Sequence, residues 1–133
     1  MNGVFADTSG LLALVNAGDE NHARAEGAFA NLRARQAPLV STSFVLVETY
    51  AFIGRRFGLA AVRSFRADFS PLLDVVWVDE SLHDAGLDLM FERGKRLLSL
   101  VDAVSFVTMR QRNVSEAFAF DPHFEQEGFS LVR

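Results

Sequence analysis

The chain has 133 residues, half of them apolar, with thirteen Phe, no Cys and a formal net charge of -4. That is enough for one domain over residues 1–133 with a real core, and it excludes a disulfide framework, a thiolate metal site and the unselective attraction to nucleic acid of a strongly basic protein. Apolar runs fall short of the ~18 residues of a membrane-spanning helix, and the opening MNGVFADTSG lacks the basic and apolar regions of a signal peptide, so a soluble protein of the reducing cytoplasm with no membrane association is expected.

The chain opens on a short buried strand, Val4-Phe5-Ala6, that delivers Asp7 to its C-terminal end, followed by Thr8, Ser9 and Gly10. Leu11 to Val15 predicts a brief helix and Asn16 to Asp19 a turn, with Asp19 capping a second helix to about Gln36. Pro38 to Thr42 reads as a strand, and Ser43 as the cap of a helix over Phe44 to Phe57 that Gly58 closes. A helix from Leu59 to about Phe69 stops before Pro71. The β-branched and aromatic run Leu73 to Val78 predicts a third strand, and Ser81 to Glu92 a helix. After the connector Gly94-Lys95-Arg96 comes a helix from Ser99 to Arg112. Strands at Ala117 to Phe120 and at Phe129 to Val132 complete the chain. Strands alternating with helices from end to end predict βαβ units and a mainly parallel sheet.

Four acids fall at positions where chemistry could gather. Asp7 ends a strand, where open α/β sheets collect their ligands, although Asp is equally a favoured helix cap. Glu48 has Phe44, Val45, Ala51 and Phe52 as its helical neighbours, which predicts an acid on an apolar face. An ionised carboxylate there needs a partner, a cation or a raised pKa, unless the position lies at a rim that reaches water. Asp102 stands three residues after Ser99, the spacing of a capping box, and Ser105 shares its face one turn on. Asp121 ends the run Ala117 to Phe120 and precedes Pro122, a strand-end acid again or a second cap. Carboxylates brought that close repel one another, and divalent cations or protons let them coexist. Oxygen ligands of this kind suit Mg²⁺ or Mn²⁺, and such ions activate water against phosphate esters.

The order of these motifs has a family likeness. Asp7-Thr8-Ser9 after a strand, Val47-Glu48-Thr49, the run Leu100 to Phe106 around Asp102, and Phe120-Asp121-Pro122-His123-Phe124 together resemble the PIN-domain nucleases. More narrowly, the chain is similar to the VapC toxins of bacterial and archaeal type II toxin-antitoxin systems. Asp19, His22 and Ala25 at the opening of the second helix and the closing Gly128-Phe129 extend the likeness over the whole chain. The resemblance implies a three-layer α/β/α fold with a five-stranded parallel sheet in the order 3-2-1-4-5. It also implies an endoribonuclease dependent on Mg²⁺ or Mn²⁺, with Asp7, Glu48, Asp102 and Asp121 as catalytic metal ligands and Thr8, Ser9 and Ser105 in support. An RNA substrate (tRNA, rRNA or mRNA), a VapB-like antitoxin and a homodimer are the partners it implies.

Arginines group as Arg55-Arg56, Arg93 to Arg96 with Lys95, and Arg110 with Arg112, a set suited to phosphate or simply to solvated helix ends. His22, His83 and His123 read as surface or capping residues, and Asp84 with Asp88 as a solvated face. A haloacid-dehalogenase-type phosphatase would need a second acid where Ser9 stands, and a receiver domain would need acids before Asp7. A PIN-like module that binds RNA or protein without cutting it remains the non-enzymatic alternative.

Overall fold

Every residue of the first two strands is buried, although successive side chains point to opposite faces of a sheet. Both faces must therefore be covered, as in parallel sheets flanked by helices. The computed structural model describes residues 2–132. In chain order the elements are β1 (Val4–Ala6), α1 (Thr8–Val15), α2 (His22–Ala34), β2 (Leu39–Thr42), α3 (Ser43–Phe57) and α4 (Leu59–Asp68). A 3-10 turn (Ser70–Leu72) leads into β3 (Leu73–Val76), α5 (Glu80–Arg93), α6 (Leu100–Gln111), β4 (Glu116–Phe118), α7 (His123–Gln126) and β5 (Ser130–Leu131). The strand order is β3-β2-β1-β4-β5 and every pairing is parallel.

Two aromatic clusters show how the layers close. Ala6 is in register with Phe118, so these two face the same side, and Phe5 faces the other. Phe5 meets Phe124, which packs edge-on against Phe106 at 4.9 Å and reaches Phe129. On the opposite side Phe118 meets Phe29, which continues through Phe69 to Phe65 and Tyr50. Thus α6 and α7 cover one face while α2, α3 and α4 cover the other.

Local chemistry sets the element ends, not always where the sequence suggested. Thr42, not Ser43, caps α3, its hydroxyl accepting from Val45 N, while the Ser43 hydroxyl accepts from Val78 N and pins the chain beyond β3. Asp19 makes a turn onto Asn21 N, so α2 begins at His22 without a side-chain cap. β3 stops at Val76 because Asp79 caps α5, and β4 stops at Phe118 because the chain after it turns toward α7, a short helix absent from the sequence reading. Among the described residues no helix is long and apolar enough to cross a membrane.

One main-chain contact fixes the sheet against α1. A Cβ at Gly10 would overlap the Phe118 carbonyl, which already accepts a hydrogen bond from Asp7 N at 3.1 Å. By contrast, a Cβ at Gly27 on α2 would meet nothing. Gly10→Ala is therefore expected to cost roughly 2–3 kcal/mol by overpacking against backbone. Gly27→Ala should be neutral or stabilise by roughly 0.5–1 kcal/mol through helix propensity. Urea midpoints of the two variants measure the difference, and equal midpoints would contradict this account.

Candidate metal centre

Asp7 is both the cap and the buried acid that the sequence left open. It sits in extended backbone at the N-terminus of α1, only 3 % exposed, and its Oδ2 accepts from Ser9 N at 3.2 Å and from Ser9 Oγ at 2.7 Å. The same Ser9 hydroxyl accepts from Phe120 N at 2.9 Å, so one serine ties the first acid to the chain just beyond β4. Among the described residues the other oxygen of Asp7, Oδ1, has no protein donor.

Asp102 and Asp121 repeat that division. Ser99 and Asp102 form the full capping box, with Asp102 N donating to Ser99 Oγ and Asp102 Oδ2 accepting from Ser99 N. Asp121 Oδ1 accepts from His123 N at 2.9 Å and lies 2.8 Å from His123 Nδ1. Since an ionised carboxylate only accepts, that ring nitrogen carries the proton. Ligand atoms of Asp102, Asp121 and His123 all come within 4.8 Å of one another. Each of the three aspartates thus uses one oxygen to hold the scaffold and keeps the other free.

The electrostatics match the geometry. Burial pushes the Asp7 carboxyl from 3.8 up to about 7, with the Ser9 hydrogen bonds opposing and the charges of Asp102 and Asp121 adding to the rise. Asp102 is also raised, first by burial and then by Asp121, while Ser99 and His123 pull the other way. Among the described residues no Arg or Lys forms an ion pair with Asp7, Asp102 or Asp121. Three acids without an Arg or Lys partner fit a hard divalent cation with oxygen ligands. The Thr8 hydroxyl adds an independent sign, since it is buried without any hydrogen-bond partner beside Asp7.

Other expected residues fall differently. Glu48 is exposed on α3, and its apolar neighbours do not bury it: Phe44 and Phe52 are half-buried, Ala51 is exposed, and Val47 beside it is 67 % exposed. The rim position describes it, not an acid stranded on an apolar face. Ser105 is fully buried, and its hydroxyl donates to Val101 O within α6. His123, read as a surface or capping residue, stands in the acid cluster; its spacing of two from Asp121 was the available signal.

Three of the grouped arginines, Arg93, Arg110 and Arg112, are committed to ion pairs. Glu127, whose side chain is 6 % exposed, accepts from Arg93 Nε at 2.8 Å and from Arg110 Nη2 at 2.9 Å. The Arg93 guanidinium bonded to it holds the Glu127 carboxyl below the usual range, against the opposing effect of burial. Arg112 pairs with Asp74 at 3.2 Å. Asp84 and Asp88 are exposed on α5, as the sequence suggested.

Comparison with known proteins shows the family of the chain. The PIN domain family model matches residues 4–129. The 23S rRNA-specific endonuclease VapC20 of Mycobacterium tuberculosis, in two strains, is 38 % identical over 132 residues, 98 % of either chain. The crystal structure of Mycobacterium tuberculosis VapC20, described as a sarcin-ricin loop cleaving toxin, superposes with a TM-score of 0.85 at 35 % identity, covering 98 % of both chains. FitAcB from Neisseria gonorrhoeae shares the fold, with a TM-score of 0.69 at 13 % identity over 98 % of this chain and 96 % of that one.

The raised Asp7 reverses the usual carboxylate dependence of stability on pH. Between pH 3.8 and about 7 the folded chain holds a proton that the unfolded chain has lost. This contribution is complete below 3.8 and is lost as pH rises through about 7, so stability falls with pH by on the order of 4 kcal/mol across the window. Asp7→Asn keeps an acceptor for Ser9 and removes the buried charge. In EDTA at pH 8 it should raise the thermal midpoint by roughly 3–10 °C, and it should flatten the pH slope. A variant that melts lower than the parent at pH 8 would contradict the assignment.

Proposed function

We propose, for a chain that belongs to the PIN-domain family and within it resembles the VapC toxins, a divalent-cation-dependent endoribonuclease whose active centre is Asp7, Asp102 and Asp121. The observation that carries the reading is the gathering of Asp102 and Asp121, with His123, within 4.8 Å at the edge where β1 delivers Asp7, whose carboxyl feels the charges of both. The likeness to VapC20, an enzyme specific for 23S rRNA, supports a loop of large ribosomal RNA as substrate. An RNA of that kind places the work in the cytoplasm. A VapB-like antitoxin and a homodimer complete the proposal.

Mg²⁺ or Mn²⁺, when bound, supplies Lewis-acid polarisation of the phosphoryl group and of the attacking water. Asp7 Oδ1, Asp102 Oδ1 and Asp121 Oδ2 are the oxygens that would hold it. Ser9 fixes the Asp7 carboxylate through its hydroxyl and backbone N–H, and Ser99 holds the Asp102 carboxylate through its backbone N–H alone. His123 keeps one oxygen of Asp121 occupied and so aims the other. Burial behind Asp7 excludes water from its rear. The Thr8 hydroxyl, free to donate, lies where a ligand or an ordered water can accept from it. Glu48 takes the outer role, a rim carboxylate on α3, which packs against both α1 and α6. From there it receives a proton from the incoming water or adds a ligand. Ser105 supports by stiffening the first turns of α6. In-line hydrolysis would leave 5′-phosphate and 3′-hydroxyl ends.

Purified protein should cleave RNA with Mn²⁺ and stop in EDTA. Asp7→Asn and Asp102→Asn should each lower the rate by at least about a hundredfold. Calorimetric titration of Mn²⁺ should show binding to the parent and none to Asp102→Asn. Full activity in Asp7→Asn, from a preparation free of contaminating nuclease, would refute the centre.

Glu48 separates from the buried acids in its signature. Glu48→Gln should reduce the rate by roughly tenfold to a hundredfold while stability stays within about 0.5 kcal/mol, as for other exposed positions. A large loss of stability would show that its carboxylate is structural.

A further inference from the structure

A cavity of about 620 Å³ opens beside the acid centre, between α2 and the C-terminal ends of β4 and β5. Its size is that of a site for a small ring system. Ala28, Ala119, Leu131 and Val132 give it an apolar lining, and Gly27 leaves the α2 side without a side chain. At its edge the Arg24 guanidinium lies over the Phe120 ring at 5.2 Å, with its Nη1 donating to Asn21 Oδ1 at 3.1 Å. Among the described residues Arg24 has no carboxylate partner, whereas Arg35, Arg93, Arg110 and Arg112 each have one.

That arrangement has the parts of a base-stacking platform. Unpaired bases in RNA loops stack on arginine planes and aromatic rings, and an oriented guanidinium with an aromatic ring behind it offers such a plane. Its position is tied to the centre through covalent and hydrogen-bonded links. Phe120 precedes Asp121, and its N–H donates to the Ser9 hydroxyl that holds Asp7. Phe120 is therefore held on the flank of the acid centre, on the side that an RNA strand running past Asp121 would cross. Glu125 adds an acceptor to the lining, suited to the exocyclic amino groups of adenine, guanine or cytosine.

We propose that this cavity is a subsite for one unpaired nucleobase flanking the cleaved bond, with Arg24 and Phe120 as the stacking surface and Gly27 as the opening. This rests on the ribonuclease reading, and its test separates the two. Fluorescein-labelled single-stranded RNA of mixed sequence is titrated by anisotropy in EDTA, where no cleavage occurs, against the parent, Arg24→Ala, Arg24→Lys and Gly27→Leu. Cleavage by the same proteins is then measured with Mn²⁺.

Arg24→Ala should bind roughly tenfold more weakly, the loss of one stacked base. Arg24→Lys should recover less than half of that loss, because it restores charge without a plane. Gly27→Leu should weaken binding at least as much while melting no lower than the parent, since a Cβ there meets nothing. In cleavage the three variants should raise KM with kcat changed much less. Equal RNA affinity in the parent, Arg24→Ala and Gly27→Leu, with the parent still cutting, overturns the subsite and leaves the ribonuclease standing. A parent that neither binds nor cuts RNA overturns both. If Gly27→Leu instead abolishes binding of a co-expressed protein partner and leaves RNA affinity intact, the cavity is a protein site and the proposal fails.

Discussion

Two strands that lie side by side and run in the same direction must end at the same edge of their sheet. β1 and β4 are such a pair, and the chain carries Asp7 just beyond one and Asp121 three residues beyond the other. Everything acidic in the centre follows from that pairing, because it brings together charges that would otherwise separate. The helices complete it: α6 begins at the same edge and its capping box presents Asp102. The cost is visible in the raised pKa values of Asp7 and Asp102, whose burial and mutual repulsion oppose the ionised forms.

How the chain tolerates that cost is a matter of divided labour. One oxygen of each aspartate serves as a helix cap or turn acceptor, an ordinary stabilising role. The second faces the place where the three meet. Structure and chemistry therefore use the same side chain without competing for the same atom. Sites built this way store unfavourable electrostatics in the empty protein and release it on binding a cation. The buried Glu127 with its two arginines solves the opposite problem, since there the charges are matched within the protein and hold α5, α6 and the turn before β5 together.

Much of this was legible in the sequence because the strong signals are local. The parallel sheet and its strand order, the box from Ser99 to Asp102, and the strand-end placement of Asp7 all follow from short-range patterns and family likeness. Where the reading failed, the deciding contact was long-range. Phe44 and Phe52 made Glu48 look buried, but α3 leaves that side partly uncovered, and Val47 is exposed beside it. Ser43 looked like a cap until Val78, far along the chain, took its hydroxyl. Arg93 and Arg110 read as phosphate contacts or as solvated helix ends, and only the fold brings Glu127 between them. Ser105 shares a helix face with Asp102 in the sequence, but its hydroxyl turns to its own helix. His123 reads as a surface or capping residue in the sequence, and only the turn after Asp121 folds its ring back onto that carboxylate.

The bare Gly10 against the Phe118 carbonyl sets how such a molecule can be inherited. The gap between α1 and β4 is gauged by main chain touching main chain, not by the choice of any neighbouring side chain. A lineage can then rewrite its surface, exchange its core aromatics or change its RNA target and still pass on the same gauge. An edit that does press on it is the smallest available, a single methyl group at that glycine.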